Sequence, residues 1–142
     1  MTVQELMNPK VITIEPTASA ALAARLLSRY NVGSLPVCTA DRKLRGIVTD
    51  RDIVLRCVAV EDDPAQTPVR DIMSRAPATL SPTQDVHAAA LSMAAHQVRR
   101  MPVVENSRLV GIVSLGDLAK SRRYDMEAAQ ALSEISENIL RK

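Results

Sequence analysis

Apolar and polar positions alternate along this chain in two rhythms, one of strands and one of helices, and the same order of rhythms occurs twice. A helical turn containing Met7 leads to a short apolar stretch at 11–14 that predicts a strand. Pro16-Thr17 then opens a helix with Thr17 as its N-cap. Leu22, Leu26, Leu27 and Tyr30 fall on one stripe of that helix. Apolar runs at 35–39 and 44–49 predict two strands joined by the turn residues Ala40-Asp41-Arg42-Lys43, with a second helix following at once. The second pass has a strand at 78–81, a helix opened by Pro82-Thr83, and a weaker stripe of Val86, Ala90, Met93 and Gln97. Strands at 101–105 and 109–114 flank Asn106-Ser107, and another helix follows. Each pass reads β-α-β-β-α.

The passes match residue by residue. Val3-Gln4-Glu5-Leu6-Met7 corresponds to Val69-Arg70-Asp71-Ile72-Met73, Thr13-Ile14-Glu15-Pro16-Thr17 to Thr79-Leu80-Ser81-Pro82-Thr83, and Pro36-Val37 to Pro102-Val103, all displaced by 66 residues. One residue is lost in the turn, after which Gly46-Ile47-Val48-Thr49 corresponds to Gly111-Ile112-Val113-Ser114. Matches held in one register through most of a chain identify a tandem duplication. The expected organisation is a first repeat at 3–60, an acidic, proline-containing linker at 61–68, a second repeat at 69–120 and an extra segment at 121–142. In that last segment Met126, Ala129, Leu132, Ile135, Ser136 and Ile139 sit near one face of an amphipathic helix. It either covers the domain's own sheets or forms a dimer contact.

Composition narrows the function. The 142 residues are 46% hydrophobic and 24% charged, an ordinary globular balance with a core of useful size. A net charge of +2 is too small to point to nucleic acid. Gly33, Gly46, Gly111 and Gly116 are spaced for neither a dinucleotide-binding fingerprint nor a phosphate-binding P-loop. Two histidines and two cysteines, with no CxxC, argue against a dedicated zinc site. There is no Trp or Phe, so only Tyr30 and Tyr124 offer an aromatic face, and a flat ligand must be gripped by aliphatic side chains. No run reaches the about 18 apolar residues of a membrane span, and 1–10 carries no secretion signal. The cytoplasm is the expected location, no membrane partner is expected, and Cys38 and Cys57 read as buried reduced thiols. His87 lies in a helix with no identifiable Ser or Cys partner, and His96, at a helix end beside two arginines, reads as a surface or phosphate contact, so no catalytic residue is assigned.

One spacing carries chemistry in both copies. Thr49 precedes Asp52 by three residues at a strand-to-helix junction, and Ser114 precedes Asp117 in the same way. By itself this is the pattern of a capping box, which satisfies backbone donors without any ligand. Together with the stretches Gly46-Ile47-Val48-Thr49-Asp50-Arg51-Asp52 and His96-Gln97-Val98-Arg99-Arg100-Met101-Pro102-Val103, however, the duplication resembles the CBS domain, which normally occurs as a tandem pair. The resemblance covers residues 3–120 and extends to short stand-alone bacterial CBS-pair proteins, including the hypoxic-response type.

The resemblance implies an α/β (α+β) fold of two β-α-β-β-α repeats packed about a pseudo-two-fold axis, plus a C-terminal helix. It also implies a non-catalytic regulatory module with no cofactor. Such a module senses AMP, ADP, ATP or S-adenosylmethionine in clefts between the repeats, forms a homodimer and is read by an unidentified downstream protein. In that picture the acidic side chain accepts hydrogen bonds from ribose hydroxyls, while the helix start faces phosphate. Carried over, Thr49 and Asp52 face Pro77, Ala78, Val98, Arg99 and Arg100, while Ser114 and Asp117 face Val11, Ile12, Val32, Gly33 and Ser34. Arg99 and Arg100 would pair with phosphate, or else be solvated charges at a helix end. The other readings left open are a ligand-free dimerisation module and a redox or metal sensor acting through Cys38 and Cys57.

Overall fold

The computed structural model describes residues 1–119 and 125–141, except for the side chains of 125–128 and 138–141. Tyr124 and the side chains of Met126 and Ile139 therefore lie outside the described residues. The chain forms two compact units, one of residues 12–77 and one of residues 1–11 with 78–142.

In the unit of residues 12–77, helix α2 (Ala20–Tyr30) precedes strands β1 (Ser34–Cys38) and β2 (Leu44–Thr49). Helix α3 (Asp50–Ile53) runs on into a π-helical turn, Val54–Val58, and a 3-10 turn, Val69–Asp71, leads to the two-residue strand β3 (Ser74–Arg75). The sheet is antiparallel in the order β1-β2-β3, with Ser34 opposite Thr49 and Gly46 opposite Arg75. Its core holds Ile14, Ala23, Leu27, Leu35, Val37, Val48, Ile53 and Cys57, joined by Val69, Ile72 and Met73.

The other unit begins with α1 (Val3–Leu6) and continues through α4 (Val86–His96), β4 (Arg100–Glu105), β5 (Arg108–Ser114), α5 (Leu115–Ala119) and α6 (Asp125–Arg141). Strands β4 and β5 pair antiparallel with Arg100 opposite Ser114, and Asn8 bridges to Ile112 at the edge. Asn106 and Ser107 both take positive φ in the connecting turn, the geometry that two-residue hairpin loops require. Val3 sits in this core with Leu80, Met93, Met101, Val103, Val113 and Leu118.

The duplicated leading segments are therefore exchanged. Val69 N donates to Ala18 O (2.7 Å) and Arg70 N to Pro16 O (3.0 Å), while Val3 N donates to Gln84 O (2.8 Å) and Gln4 N to Pro82 O (3.0 Å). Each segment closes the unit built by the other copy, through the same pair of hydrogen bonds.

Several local expectations are corrected. The strands expected at 11–14 and 78–81 are single parallel bridges, Ile14 to Val37 and Leu80 to Val103, and the prolines that follow at 16 and 82 end the pairing. The N-caps are Ser19 and Asp85, whose side chains accept from Leu22 N and His87 N, rather than Thr17 and Thr83. A turn closed by Ala18 N to Glu15 O delays the start of α2. Pro64 O and Thr67 O then accept from Ala21 N and Ala20 N, satisfying donors that its first turn leaves open. The buried stripe of α2 is Ala20, Ala23 and Leu27, and Leu22 and Tyr30 point outward at 37% and 44% exposure. Gln97 is not part of the α4 stripe but the left-handed residue that ends the helix. Among the described side chains of α6 the buried positions are Ala131 and Ile135, one turn apart on a helix packed with α4 and α5, whereas Leu132 is exposed.

Candidate functional site

Both Ser/Thr-x-x-Asp spacings form the same closed geometry. Thr49 N donates to Asp52 Oδ2 and Asp52 N to Thr49 Oγ1, each at 3.0 Å. Ser114 N donates to Asp117 Oδ2 at 2.9 Å and Asp117 N to Ser114 Oγ at 3.1 Å. These are reciprocal capping boxes, so the helix-capping role foreseen from spacing is present in both copies. Each box uses one carboxylate oxygen, Oδ2. The strand register places it: Thr49 is the cross-strand partner of Ser34, and Ser114 that of Arg100. Asp50 N also donates to Gly33 O, and Leu115 N to Arg99 O, which ties each helix start to the chain entering the neighbouring strand.

The two boxes differ in electrostatics. Asp52 is buried at 9% exposure, the one buried charged side chain among the described residues. The Arg56 Nε lies 4.0 Å from Asp52 Oδ1, and Arg56 Nη1 donates to Ile72 O and Met73 O at 3.2 and 3.3 Å. The guanidinium thus ties the carboxylate to the exchanged segment. Sequence reading missed Arg56, although its i,i+4 spacing from Asp52 is a usable signal.

The structure brings some of the expected site residues together and separates others by unit. Thr49, Asp52, Ile12, Val32, Gly33, Ser34 and Pro77 belong to the unit of residues 12–77, whereas Ser114, Asp117, Val11, Ala78, Val98, Arg99 and Arg100 belong to the other. Arg99 and Arg100 are exposed, as are Ile12 and Gly33, while Pro77, Ala78 and Val98 are half-buried.

The glycines of the Gly-Ile-Val stretches have a packing role that sequence reading left without a cause. A Cβ on Gly46 would lie 2.6 Å from Ser74 O and 2.8 Å from Met73 Sδ, and one on Gly111 would lie 2.6 Å from Met7 Sδ. The repeated methionines and the repeated glycines are two halves of one contact.

Both cysteine sulfurs are withdrawn from solvent. Cys38 and Cys57 are both free and buried. Burial pushes the Cys38 thiol above its ordinary value, against a smaller opposing pull from Arg42, and Cys57 Sγ contacts Asp62 O at 3.6 Å. Native protein should therefore react with a maleimide at pH 8 far more slowly than urea-unfolded protein, as thiol counting over time will show. His96 Nδ1 lies 2.9 Å from Ser92 O within its own helix. Among the described residues, no three His, Cys, Asp or Glu side chains converge as a metal cage, and no helix is long and apolar enough to cross a membrane.

The sequence matches the CBS domain over residues 3–59 and 69–124. The chain belongs to the CBS-domain family. It is similar to hypoxic response protein 1 of Mycobacterium tuberculosis, 32% identical over 119 residues that cover 84% of this chain and 83% of that protein. The crystal structure of hypoxic response protein I, with two coordinated zinc ions, superposes with a TM-score of 0.78 at 32% identity, covering 84% of this chain and 98% of that one. The CBS protein PAE2072 from Pyrobaculum aerophilum, complexed with AMP, is 31% identical with a TM-score of 0.77, covering 92% of this chain and 99% of the other. The CBS domain pair of protein MJ0100, in complex with 5-methylthioadenosine and S-adenosylmethionine, gives 28% identity and a TM-score of 0.73, covering 84% of this chain and 94% of its own. Adenosine-containing ligands thus occur in CBS pairs of this fold.

Proposed function

We propose that this protein is a non-catalytic regulatory module of the cytoplasm that senses an adenosine-containing ligand. Thr49 with Asp52, and Ser114 with Asp117, supply the ribose-side contacts. The observation that carries this reading is the pair of boxes at equivalent strand-to-helix junctions, in a chain similar over 92% of its length to a CBS protein complexed with AMP. Each box orients its carboxylate through Oδ2, which leaves a second oxygen to accept from a ribose hydroxyl. Arg99 and Arg100 are the cations for phosphate, and the aliphatic segments around Val11, Ile12, Val32, Pro77, Ala78 and Val98 take the place of aromatic stacking. Calorimetry and thermal shift with AMP, ADP, ATP and S-adenosylmethionine test the reading. Binding of at least one is expected, and a flat response to all four rejects it in favour of a ligand-free interaction module.

The module is also proposed to be a homodimer. Val54, Leu55 and Val58 are 55%, 49% and 56% exposed along the π-helical turn and Val60, in the turn after it, is 57% exposed, a concentration of apolar surface that an isolated chain would leave in water. In the other unit α6 packs on α4 and α5, so the two repeats do not present the same helical surface. Light scattering should give twice the mass of the 15.4 kDa chain, and a monomer across a wide concentration range would contradict the proposal.

A further inference from the structure

An open cavity of about 680 Å³ lies in the unit of residues 12–77, lined by Arg56, Arg70, Asp71, Met73, Ser74 and Arg75. Three guanidiniums from two separate segments meet there, with Asp71 as the one carboxylate of the lining. Arg56 is held in place by the carbonyls of Ile72 and Met73 and by Asp52. Arg70 and Arg75 are exposed and take part in no described ion pair.

The duplication supplies an internal control for whether the fold itself needs these cations. At the matching positions of the other unit Met73 corresponds to Met7, Asp71 to Glu5 and Ser74 to Asn8, so the packing, acidic and polar characters are kept. Arg70 and Arg75 instead correspond to Gln4 and Pro9. The same exchanged segment closes its unit there with no arginine. Arg70 and Arg75 are additions to the fold and not a requirement of it.

We propose that this wall binds a chain of phosphoryl groups, in addition to the two boxes assigned to ribose. A guanidinium presents a planar fork of donors that matches phosphate oxygens, a geometry that an ammonium lacks. The forks of Arg70 and Arg75, with the anchored Arg56 adding its charge, line a cavity far larger than one phosphate and fit a linear oligophosphate, either free or as the tail of a nucleotide.

Calorimetry of the full chain with inorganic tripolyphosphate tests this. Binding is expected, and the Arg70→Gln/Arg75→Gln double variant should weaken it by about tenfold or more with an unchanged melting temperature, since both side chains are exposed. Arg25→Gln/Arg29→Gln removes the same charge beside a separate cavity on α2 and should leave the affinity in place. No binding of tripolyphosphate, or equal losses in the two double variants, overturns the proposal. Adenosine, which has no phosphate, separates this site from the ribose reading. Adenosine binding without tripolyphosphate binding removes only the arginine site, and the reverse removes only the ribose assignment. ATP identifies the source: a parallel loss of ATP affinity in Arg70→Gln/Arg75→Gln assigns the site to a nucleotide tail, and an unchanged ATP affinity assigns it to free oligophosphate.

Discussion

Asp52→Asn and Asp117→Asn should each abolish the stabilisation that an adenosine ligand confers through its own site, while the unliganded protein stays folded. A ligand that binds only the native state adds RT ln(1 + [L]/Kd), about 2.7 kcal/mol at a hundredfold excess over Kd. Loss of one site therefore appears as loss of that site's thermal shift. Asparagine keeps a carbonyl oxygen for the N-cap donor, so the cost to the empty protein stays within the about 0.5–2 kcal/mol of a helix cap. Asp52→Asn should sit at the upper end of that range, because it also removes the 4.0 Å partner of Arg56. Arg56 is half-exposed, which limits that pair to at most about 1 kcal/mol. Asp117 has no such partner among the described ion pairs. Should both variants retain the wild-type shift with every ligand that binds, the carboxylates are caps and nothing more.

Gly46→Ala is expected to destabilise the protein by about 1–3 kcal/mol, more than Gly111→Ala, measured by chemical denaturation. The difference lies in what each new methyl would meet. At Gly46 it meets a backbone oxygen, Ser74 O, at 2.6 Å, so β3 must move off β2. At Gly111 the nearest atom is the end of the flexible Met7 side chain, and the backbone oxygen of Asn8 stands at 3.1 Å. Because Ser74 O stays at 2.6 Å whatever stands at position 73, Met73→Ala should recover little of the Gly46→Ala loss, whereas Met7→Ala should recover much of the Gly111→Ala loss. A Gly46→Ala protein as stable as wild type would mean that the exchanged segment is only loosely seated.

Much of this architecture was legible in sequence because a duplication repeats its signal. The 66-residue displacement, the hairpins around Ala40-Asp41-Arg42-Lys43 and Asn106-Ser107, and the boxes at Thr49 and Ser114 all rest on short-range spacing, which periodicity and turn chemistry report directly. The helix stripes were less legible. Leucine outweighs alanine in any apolar pattern, yet α2 buries Ala20 and Ala23 and turns Leu22 outward. The small side chains let the helix approach the sheet closely, a choice set by the neighbouring layer.

What the sequence by itself determined is the order of the main helices and hairpin strands, the repeat, the family and the pairing of a hydroxyl with a carboxylate at each strand-to-helix junction. Only the tertiary structure decided which segment closes which unit, since Val3 to Met7 and Val69 to Met73 are alike in pattern. It alone showed why Gly46 and Gly111 must lack a side chain, and which cations gather around the cavity beside the exchanged segment. The physical reason is common to all three. Close approach of backbones and convergence of like charges depend on contacts between residues distant in the chain, and no local periodicity records them.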